Sequence, residues 1–233
     1  MRIRVLASGS RGNCTYVDNG SGALLIDCGL SVREAVSRIH TAGGDPGLVR
    51  AILVTHEHAD HLHGAAAMAR KLGVPVYGTG GTLLSLASAV EGRRPVRLVR
   101  IAPGSEAAID GFTVGAFATS HDAREPCGFT LGSGGLRFTC CTDSGIISDP
   151  VLGLLRASDA ILLESNHCPE MLRTGPYPEV LKRRIRSRHG HLSEINNTPE
   201  KALASALEGL GLYCGGVRVV VAKQHGPTEP VDL

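Results

Sequence analysis

The chain has 233 residues, a formal net charge of +2 and 42% hydrophobic residues, which is typical of a globular protein with a sizeable core. It has four Phe, four Tyr and no Trp, so aromatic platforms on which bases could stack are scarce. No apolar stretch approaches the roughly 18 residues that span a membrane. The seven cysteines form no C-x-x-C pair, and without a secretory leader we expect reduced thiols in a cytoplasmic protein that has no membrane partner.

The N-terminal half alternates segments that have the periodicity of strands and of helices. A polar, glycine-rich turn, SGSRGN, follows the first strand at 8–13, and Gly73 is the predicted C-cap of a helix. The pattern predicts strands at 2–7, 15–17, 23–27, 51–55 and 74–78, and helices at about 31–41 and 65–73.

The C-terminal half begins with mostly β structure over about 96–141. Thr198 and Pro199 are typical of the N-cap and the first residue of a helix. No linker or repeat is evident, so we predict one domain over 1–233, an α/β sandwich in which helices flank two mixed sheets. The pattern predicts helices at 148–156, near 178–188 and at 198–210, and strands at 159–165 and 217–222.

Three histidines and an aspartate crowd the stretch VTHEHADH at 54–61, directly after an apolar run. Side chains two positions apart in extended backbone point the same way, so His56 and His58 can bind one ion. Asp60 and His61 follow where the chain enters the next helix, and they offer ligands for a second ion. Imidazole and carboxylate ligands without Cys suit Zn, Mn or Fe and argue against a closed structural zinc site.

This motif resembles the signature of the metallo-β-lactamase fold, an αββα sandwich. Further stretches resemble the YycJ/WalJ family of bacterial metallo-β-lactamase-fold exonucleases, and together they extend over nearly the whole chain. The resemblance implies a metal-dependent phosphodiesterase, a 5′-to-3′ exonuclease that acts on double-stranded DNA in DNA repair. The stretches are VLASGSRGNCTYV (5–17), LLIDCGLS (24–31), TSHDAREPCGF (119–129), TDSG (142–145), ESNHCPEMLRTGPYP (164–178) and KRRIRSRHGHLS (182–193).

The resemblance also implies roles for individual residues. Two divalent ions, Mn²⁺ or Zn²⁺, would form a dinuclear site that activates water. Asp60 would also orient the water, and His167 and His189 would contact the scissile phosphate or donate a proton to the leaving group. Asp27 would support the metal loop without binding an ion. The ligands of the first ion would be His56, His58 and His121, those of the second Asp60 and His61, and Asp143 would bridge the two ions.

Candidate phosphate contacts lie outside the metal ligands. Positions 182–188 carry five basic residues and no acid, which is typical of a solvated helix face or of a surface that binds the phosphate backbone. We favour the second interpretation because metal-site residues flank the run, and we expect contacts from Lys182, Arg183 and Arg184. The SGSRGN turn can offer backbone N–H groups and side chains of Ser10, Arg11 and Asn13 to a phosphate.

The sequence departs from the family near its C-terminus. Family members carry two stretches that contain HLS, and the second histidine completes the second metal site. This chain has one such stretch, HGHLSEINNTPE at 189–200, which we interpret as the loss of one C-terminal helix and strand between the two copies. His191 would then complete the second metal site, and His225 is a conceivable substitute because it also follows a predicted strand.

Other functions remain open at this point. Another hydrolase of the fold, acting on thioesters or lactones, would not need the basic run at 182–188. RNA processing shares the phosphate chemistry of DNA cleavage, so the sequence does not separate the two. The missing segment also motivates the hypothesis of a catalytically impaired relic. The sequence gives no indication of the oligomeric state.

Overall fold

Strands make up most of the regular structure in the computed structural model, which describes residues 1–92, 94–164, 168–185, 198, 200–204, 218–223 and 226–233. The helices are α1 (Val32–Thr41), α2 (Ala59–Leu62), α3 (Ala65–Leu72), α4 (Gly80–Ala89), α5 (Asp149–Arg156), α6 (Pro169–Thr174) and α7 (Glu179–Ile185). The strands are β1 (Arg2–Ala7), β2 (Cys14–Asp18), β3 (Ala23–Ile26), β4 (Val49–Leu53), β5 (Val76–Gly78), β6 (Leu98–Arg100), β7 (Glu106–Ile109), β8 (Phe112–Ala118), β9 (Cys127–Ser133), β10 (Leu136–Cys141), β11 (Ala160–Leu163) and β12 (Val231–Asp232). Residues 200–204 are also helical.

The strands form two mixed sheets. The first has seven strands in the order β12-β1-β2-β3-β4-β5-β6, and its strands from β3 to β6 run parallel. The second has five strands in the order β11-β10-β9-β8-β7, with a parallel pair at β10 and β11 and antiparallel pairs elsewhere. Because parallel strands end at the same edge of a sheet, the loops after β3 and β4 lie next to each other.

Apolar side chains form three clusters, one between the two sheets and the others between a sheet and its helices. The central strands of the first sheet, β2, β3 and β4, are largely buried on both faces, as expected when helices cover one face and a second sheet covers the other. Between the sheets lie Leu24, Ile26, Leu53, Phe112, Phe129 and Phe138, while Leu25 and Ile52 pack on Ile39 of α1 and Met68 of α3. Val151 and Leu155 of α5 pack on the outer face of the second sheet. The predicted αββα sandwich is therefore confirmed.

Local sequence signals set several boundaries. The Ser31 hydroxyl oxygen caps α1 by accepting a hydrogen bond from Glu34 N–H, and Gly73 ends α3 at a φ of 71°, as predicted. The turn between β7 and β8 is formed by Asp110 and Gly111 at φ of 45° and 81°, which is typical of a tight hairpin. The Thr198 hydroxyl oxygen accepts a hydrogen bond from Lys201 N–H, which confirms the predicted N-cap.

Some predicted elements differ. The strand predicted at 217–222 is not formed by residues 218–222, although their β-branched composition favours one, because strand residues also need a paired neighbour. Helices α4 and α6 and strand β12 were not predicted. The last three residues of the basic helix predicted near 178–188, and most of the proposed deletion region, lie outside the described residues. Within the part of the chain that the structure describes, no helix combines the length and the apolar character of a membrane span.

Candidate metal centre

Four segments that follow strands bring the predicted metal ligands and Asp27 together. Asp27 follows β3, His56 and His58 follow β4, and helix α2 carries Asp60 and His61. The loop after β8 supplies His121, and the loop after β10 supplies Asp143. Strand ends are rigid points of the fold, so these loops can hold the side chains in fixed positions.

Three imidazoles form the first cluster. Potential ligand atoms of His56, His58 and His121 all lie within 4.8 Å of one another. His121 Nε2 lies 3.1 Å from His58 Nδ1. Two nitrogens bound to one tetrahedral Zn²⁺ at ~2.05 Å each would be about 3.3 Å apart. The observed separation therefore suits two imidazoles that bind the same ion.

The second cluster adds carboxylates. Potential ligand atoms of His56, His61 and Asp143 also lie within 4.8 Å of one another. Asp143 Oδ2 lies 3.0 Å from His61 Nε2, and Asp60 Oδ2 lies 3.4 Å from the same nitrogen. The other oxygen of Asp143, Oδ1, lies 4.0 Å from His121 Nε2 in the first cluster. The Asp143 carboxylate thus stands between the two clusters.

Asp27 supports the clusters from behind. Its Oδ2 accepts a hydrogen bond from His61 Nδ1 at 2.8 Å, which leaves His61 Nε2 facing the other ligands. The backbone N–H and the hydroxyl of Thr55 also donate to the Asp27 carboxylate, each at 2.9 Å. The Thr55 hydroxyl lies 3.1 Å from His56 Nδ1. Asp27 therefore orients one histidine directly and a second one through Thr55.

Burial and charge shift the pKa values of these groups in different directions. Burial, reinforced by the positive charge of His61, lowers the pKa of His56 from 6.5 to about 2. Burial also opposes the charge on His61, but the negative charge of Asp27 and hydrogen bonds to Asp143 and Asp27 raise its pKa well above the usual value. Burial raises the pKa of Asp143, but the hydrogen bond and charge of His61 outweigh it and hold that pKa below its usual range.

These residues fit divalent metal ions. His56 Nε2 is buried and has no hydrogen-bond partner among the described residues, although such atoms normally have one. Neutral imidazole and ionised carboxylate are the forms that bind a metal, and they are the forms that the pKa values of His56 and Asp143 favour. A set of imidazole and carboxylate ligands is typical of Zn²⁺ and Mn²⁺ sites.

Two aspartates of the site have unusual backbone conformations. Asp27 and Asp143 have φ angles of 57° and 51°, in the left-handed region that non-glycine residues rarely adopt. Aspartate tolerates this region better than most residues do. Asp27 directly follows β3, and Asp143 lies two positions after the end of β10. The left-handed backbone conformation directs each carboxylate at the histidines. Such conformations persist where the surrounding structure enforces them, often at functional sites.

Backbone hydrogen bonds join the metal loop to two neighbouring turns. Asn13 N–H donates to the Asp60 carbonyl at 2.6 Å, and Cys28 N–H donates to the His61 carbonyl at 2.8 Å. Gly29 packs so closely on this loop that an added Cβ would lie 1.7 Å from the Asp60 carbonyl oxygen. Only glycine fits there, which is the physical reason for the D-C-G sequence after β3.

Asn13 has a different location from the one predicted. Its side chain is buried, its Nδ2 lies 3.2 Å from Asp60 Oδ2 and 2.9 Å from His61 Nε2, and its Oδ1 accepts from Gly9 N–H. We therefore replace the expected phosphate contact by a supporting role beside the second cluster. Ser10 and Arg11 in the same turn are exposed, as a phosphate contact requires.

The predicted phosphate contacts at 182–184 differ in their exposure to solvent. Lys182 is 9% exposed, and its ammonium group donates to the Arg173 carbonyl at 2.9 Å, so it does not face solvent as the predicted contact requires. Arg183 is exposed on α7, and the backbone of Arg184 belongs to the same helix. His167, His189, His191 and His225 lie outside the described residues, so their predicted roles stay predictions.

Two supporting residues were not predicted. Thr55 is buried and contacts both Asp27 and His56, and the only sequence signal is its place at the start of the histidine motif. Glu164, at the end of β11, accepts hydrogen bonds from the backbone N–H groups of Asp143 and Ser144. Burial and the charge of Asp143 raise the pKa of Glu164 well above its usual value. The position of Glu164 directly after a strand and at the start of the ESNH stretch is a sequence signal from which its supporting role could have been predicted.

The six described cysteines are free thiols that belong to neither cluster. Burial raises the pKa of Cys141 to about 12 and also raises that of Cys127. Cys168 differs because its pKa is lowered, first by a hydrogen bond from Met171 N–H, and because Lys201 Nζ lies 3.5 Å from its sulfur. It is half-buried, whereas the other five are buried: Cys14, Cys28, Cys127, Cys140 and Cys141.

The αββα sandwich and the paired His/Asp clusters define a hydrolase of the metallo-β-lactamase fold. Residues 23–211 match the family model of the beta-lactamase superfamily domain. Zinc-bound PqqB from Methylobacterium extorquens has the same fold, with a TM-score of 0.63 and 18% identity over 84% of this chain and 83% of that chain. The chain is 36% identical to exodeoxyribonuclease YycJ of Bacillus anthracis over 82% of its length and 73% of that protein's.

A second relative is exodeoxyribonuclease WalJ of Streptococcus pneumoniae, which is 36% identical over 82% of this chain and 72% of that protein. The chain therefore belongs to the beta-lactamase superfamily and, within it, to the YycJ/WalJ family, which confirms the resemblance noted in the sequence.

Proposed function

We propose that the protein is a metal-dependent phosphodiesterase that degrades double-stranded DNA from the 5′ end and binds two divalent ions. The observation that carries this proposal is the pair of adjacent ligand clusters with the Asp143 carboxylate between them. The substrate class is supported by the names of YycJ and WalJ, both exodeoxyribonucleases. A role in DNA repair and a location in the cytoplasm follow from the same relationship and are part of the proposal.

Each cluster would bind one of the two ions. His56, His58 and His121 would hold one ion, and Asp60 and His61 would hold the other, with Asp143 shared between them. Bound there, Mn²⁺ or Zn²⁺ would lower the pKa of a water molecule and neutralise charge on the phosphoryl oxygens. Asp27 keeps the Nδ1 proton of His61 in place, so that Nε2 stays directed at the site.

Other groups of the chain would position the substrate. The half-buried Asp60 carboxylate lies beside His61 and can orient the attacking water by accepting its hydrogen bond. The exposed guanidinium groups of Arg11 and Arg183 can neutralise backbone phosphates, which binds DNA without reading its sequence. His167 and His189 are proposed as contacts or proton donors for the leaving group, and His191 as a further ligand of the second ion.

The test is the digestion of duplex DNA labelled at either end, with the purified protein and added Mn²⁺ or Zn²⁺. Stepwise loss from the 5′ end is expected, and Asp143→Asn should remove it. Asp110→Asn is a matched control because Asp110 also has a positive φ, 45°, but lies in a distant hairpin.

The same preparation should be offered duplex RNA, a lactone and a thioester. Hydrolysis of one of these in preference to DNA would contradict the proposed substrate and select the corresponding alternative. No hydrolysis of any substrate by the folded, metal-loaded protein would indicate a catalytically impaired relic.

A further inference from the structure

Two isoleucines are exposed directly after a metal ligand. Ile146 and Ile147 are 41% and 36% exposed, and they lie three and four positions after Asp143. Three residues of extended chain span at most about 11 Å, so the Ile146 Cα lies within that distance of the Asp143 Cα. Exposed apolar side chains are ordinary when scattered singly, whereas an adjacent pair at a reaction site is a candidate contact for substrate.

Hydrogen bonds hold this segment against the loop that carries His121. Gly145 N–H donates to the Ser120 carbonyl at 2.9 Å, and Ser120 N–H donates to the Ser144 hydroxyl at 3.2 Å. The Ser144 hydroxyl in turn donates to the Ile146 carbonyl at 2.8 Å. The backbone before the two isoleucines is therefore hydrogen-bonded to the loop that carries His121 and continuous with the loop that carries Asp143, and both isoleucine side chains are exposed.

Among the described residues, aromatic side chains with an exposed face are scarce. All four phenylalanines and Tyr16 are buried, Tyr77 packs against the core between the sheets, and Tyr177, between α6 and α7, is half-buried. A base at the metal centre has a large apolar face that gains free energy when it leaves water. Aliphatic side chains can cover such a face, although without the π-stacking that aromatic ones add.

We propose that Ile146 and Ile147 form a nucleobase-binding subsite, on which the base next to the scissile phosphate packs when a DNA strand occupies the metal centre. This inference rests on the proposed function and assigns it a further binding element. Contact with the flat face of a base would discriminate little among the four bases, which suits an enzyme that removes nucleotides in succession. The subsite would fix the strand end so that its phosphate reaches the metal ligands.

Ile147 also has a structural alternative. It directly precedes Ser148, the N-cap of α5, and a hydrophobic residue at that position often packs on the fourth helical residue, here Leu152. A loss of that packing would lower the melting temperature and would affect every substrate equally. The experiment must therefore separate contact with the base from support of the helix.

The experiment compares two duplexes that differ only in the terminal nucleotide, which is normal in one and abasic in the other. The variants are Ile146→Ser, Ile147→Ser and the double variant. Leu84→Ser is the matched control because Leu84 is 65% exposed on α4 and adjoins no metal ligand in the sequence. Metal content and melting temperature are measured for every variant.

For the double variant we expect kcat/KM to fall about tenfold on the normal duplex, the size of effect that loss of one apolar base contact produces. On the abasic duplex the variant and the unaltered protein should agree within a factor of about two, because the contact is already missing. An equal loss on both duplexes, or no loss on either, would overturn the subsite. Failure of the unaltered protein to degrade either duplex would instead overturn the proposed function, and the subsite with it.

Discussion

The two ligand clusters share His56 but differ in charge and in support. The first consists of imidazoles, and the His58 side chain is 33% exposed. The second lies around His61, whose side chain is 0% exposed and is surrounded by the carboxylates of Asp27, Asp60 and Asp143. An ion held by neutral ligands keeps more of its positive charge than one held by carboxylates. An ion at the first cluster would therefore act more on water and substrate, whereas an ion at the second cluster would be held more tightly.

The largest effect is expected from the residue between the clusters. Asp143→Asn replaces a charged oxygen by an amide group without changing shape, and asparagine also tolerates the φ of 51°. We expect hydrolysis to fall by about a thousandfold or more, with metal lost from both clusters. Metal analysis and DNA digestion check this result. If Asp143→Asn loses metal from one cluster alone, the carboxylate is not shared.

Removing one ligand from each cluster should separate the two ions. His58→Ala removes an imidazole of the first cluster, and His61→Ala removes the buried imidazole of the second. We expect each variant to retain about one ion per chain, and activity to fall by about a hundredfold or more. Elemental analysis after gel filtration measures the ions. His63→Ala is the control because His63 is an exposed histidine of the same segment and belongs to neither cluster, and it should keep both ions.

Removing the negative charge of Asp27 should lower the metal affinity of the two clusters unequally. Asp27→Asn weakens the hydrogen bond that orients His61, while His56 is affected only through Thr55. We expect metal affinity of the second cluster to fall by roughly 10- to 100-fold and that of the first to change less. Competition with a coloured chelator gives both affinities. Equal losses at the two clusters would mean that Asp27 supports them jointly.

The smallest effect concerns stability of the metal-free protein. The pKa of His56 is lowered to about 2 in the folded protein. Below pH 6.5 the unfolded chain therefore binds a proton at His56 and the folded chain does not. The free energy of unfolding consequently falls as the pH drops below 6.5. The pKa of His61 is raised, so its contribution is complete below 6.5 and is lost as the pH rises through its folded pKa. The two slopes have opposite signs, each about 1.4 kcal/mol per pH unit.

Urea denaturation with a chelator present measures these slopes. His61→Gln should flatten the alkaline slope, and His56→Gln should flatten the acid slope between pH 4 and 6.5. An unchanged alkaline slope in His61→Gln would show that His61 is not protonated in the metal-free protein. Added metal should abolish the alkaline slope in the unaltered chain, because the ion replaces the proton on His61.

The histidine motif was predicted from local sequence patterns, and the αββα sandwich was implied by the resemblance to the metallo-β-lactamase fold, with which the pattern of strands and helices agrees. Strand ends direct His56 and His58 to one side, and the alternation of strands and helices shows in the apolar periodicity. Residues that act through burial were harder to assign. Asn13 and Lys182 have the composition of phosphate contacts, and only the packing of distant segments shows that Asn13 faces Asp60 and that Lys182 faces a carbonyl.

Helix α4 escaped prediction for a related reason. It starts with Gly80 and Gly81, which have low helix propensity, and an added Cβ at Gly81 would lie 2.8 Å from Glu125 Cβ. The helix is instead fixed by its surroundings, since Gly81 N–H donates to the Glu125 carboxylate at 2.8 Å and the Thr79 hydroxyl donates to the Glu125 carbonyl. A propensity scale applied to a single segment does not contain these contacts.

The unequal protection of the cysteines has a practical consequence. Alkylation requires a thiolate that solvent can reach, and among the six described thiols Cys168 has both the lowered pKa and the greater exposure. A maleimide fluorophore should therefore react there before it reaches Cys14 or Cys140 in the interior. Cys168 lies four residues after Glu164, which contacts Asp143 through backbone N–H groups. A dye at this position would report on DNA arriving near the metal centre, without engineering a new cysteine into the chain.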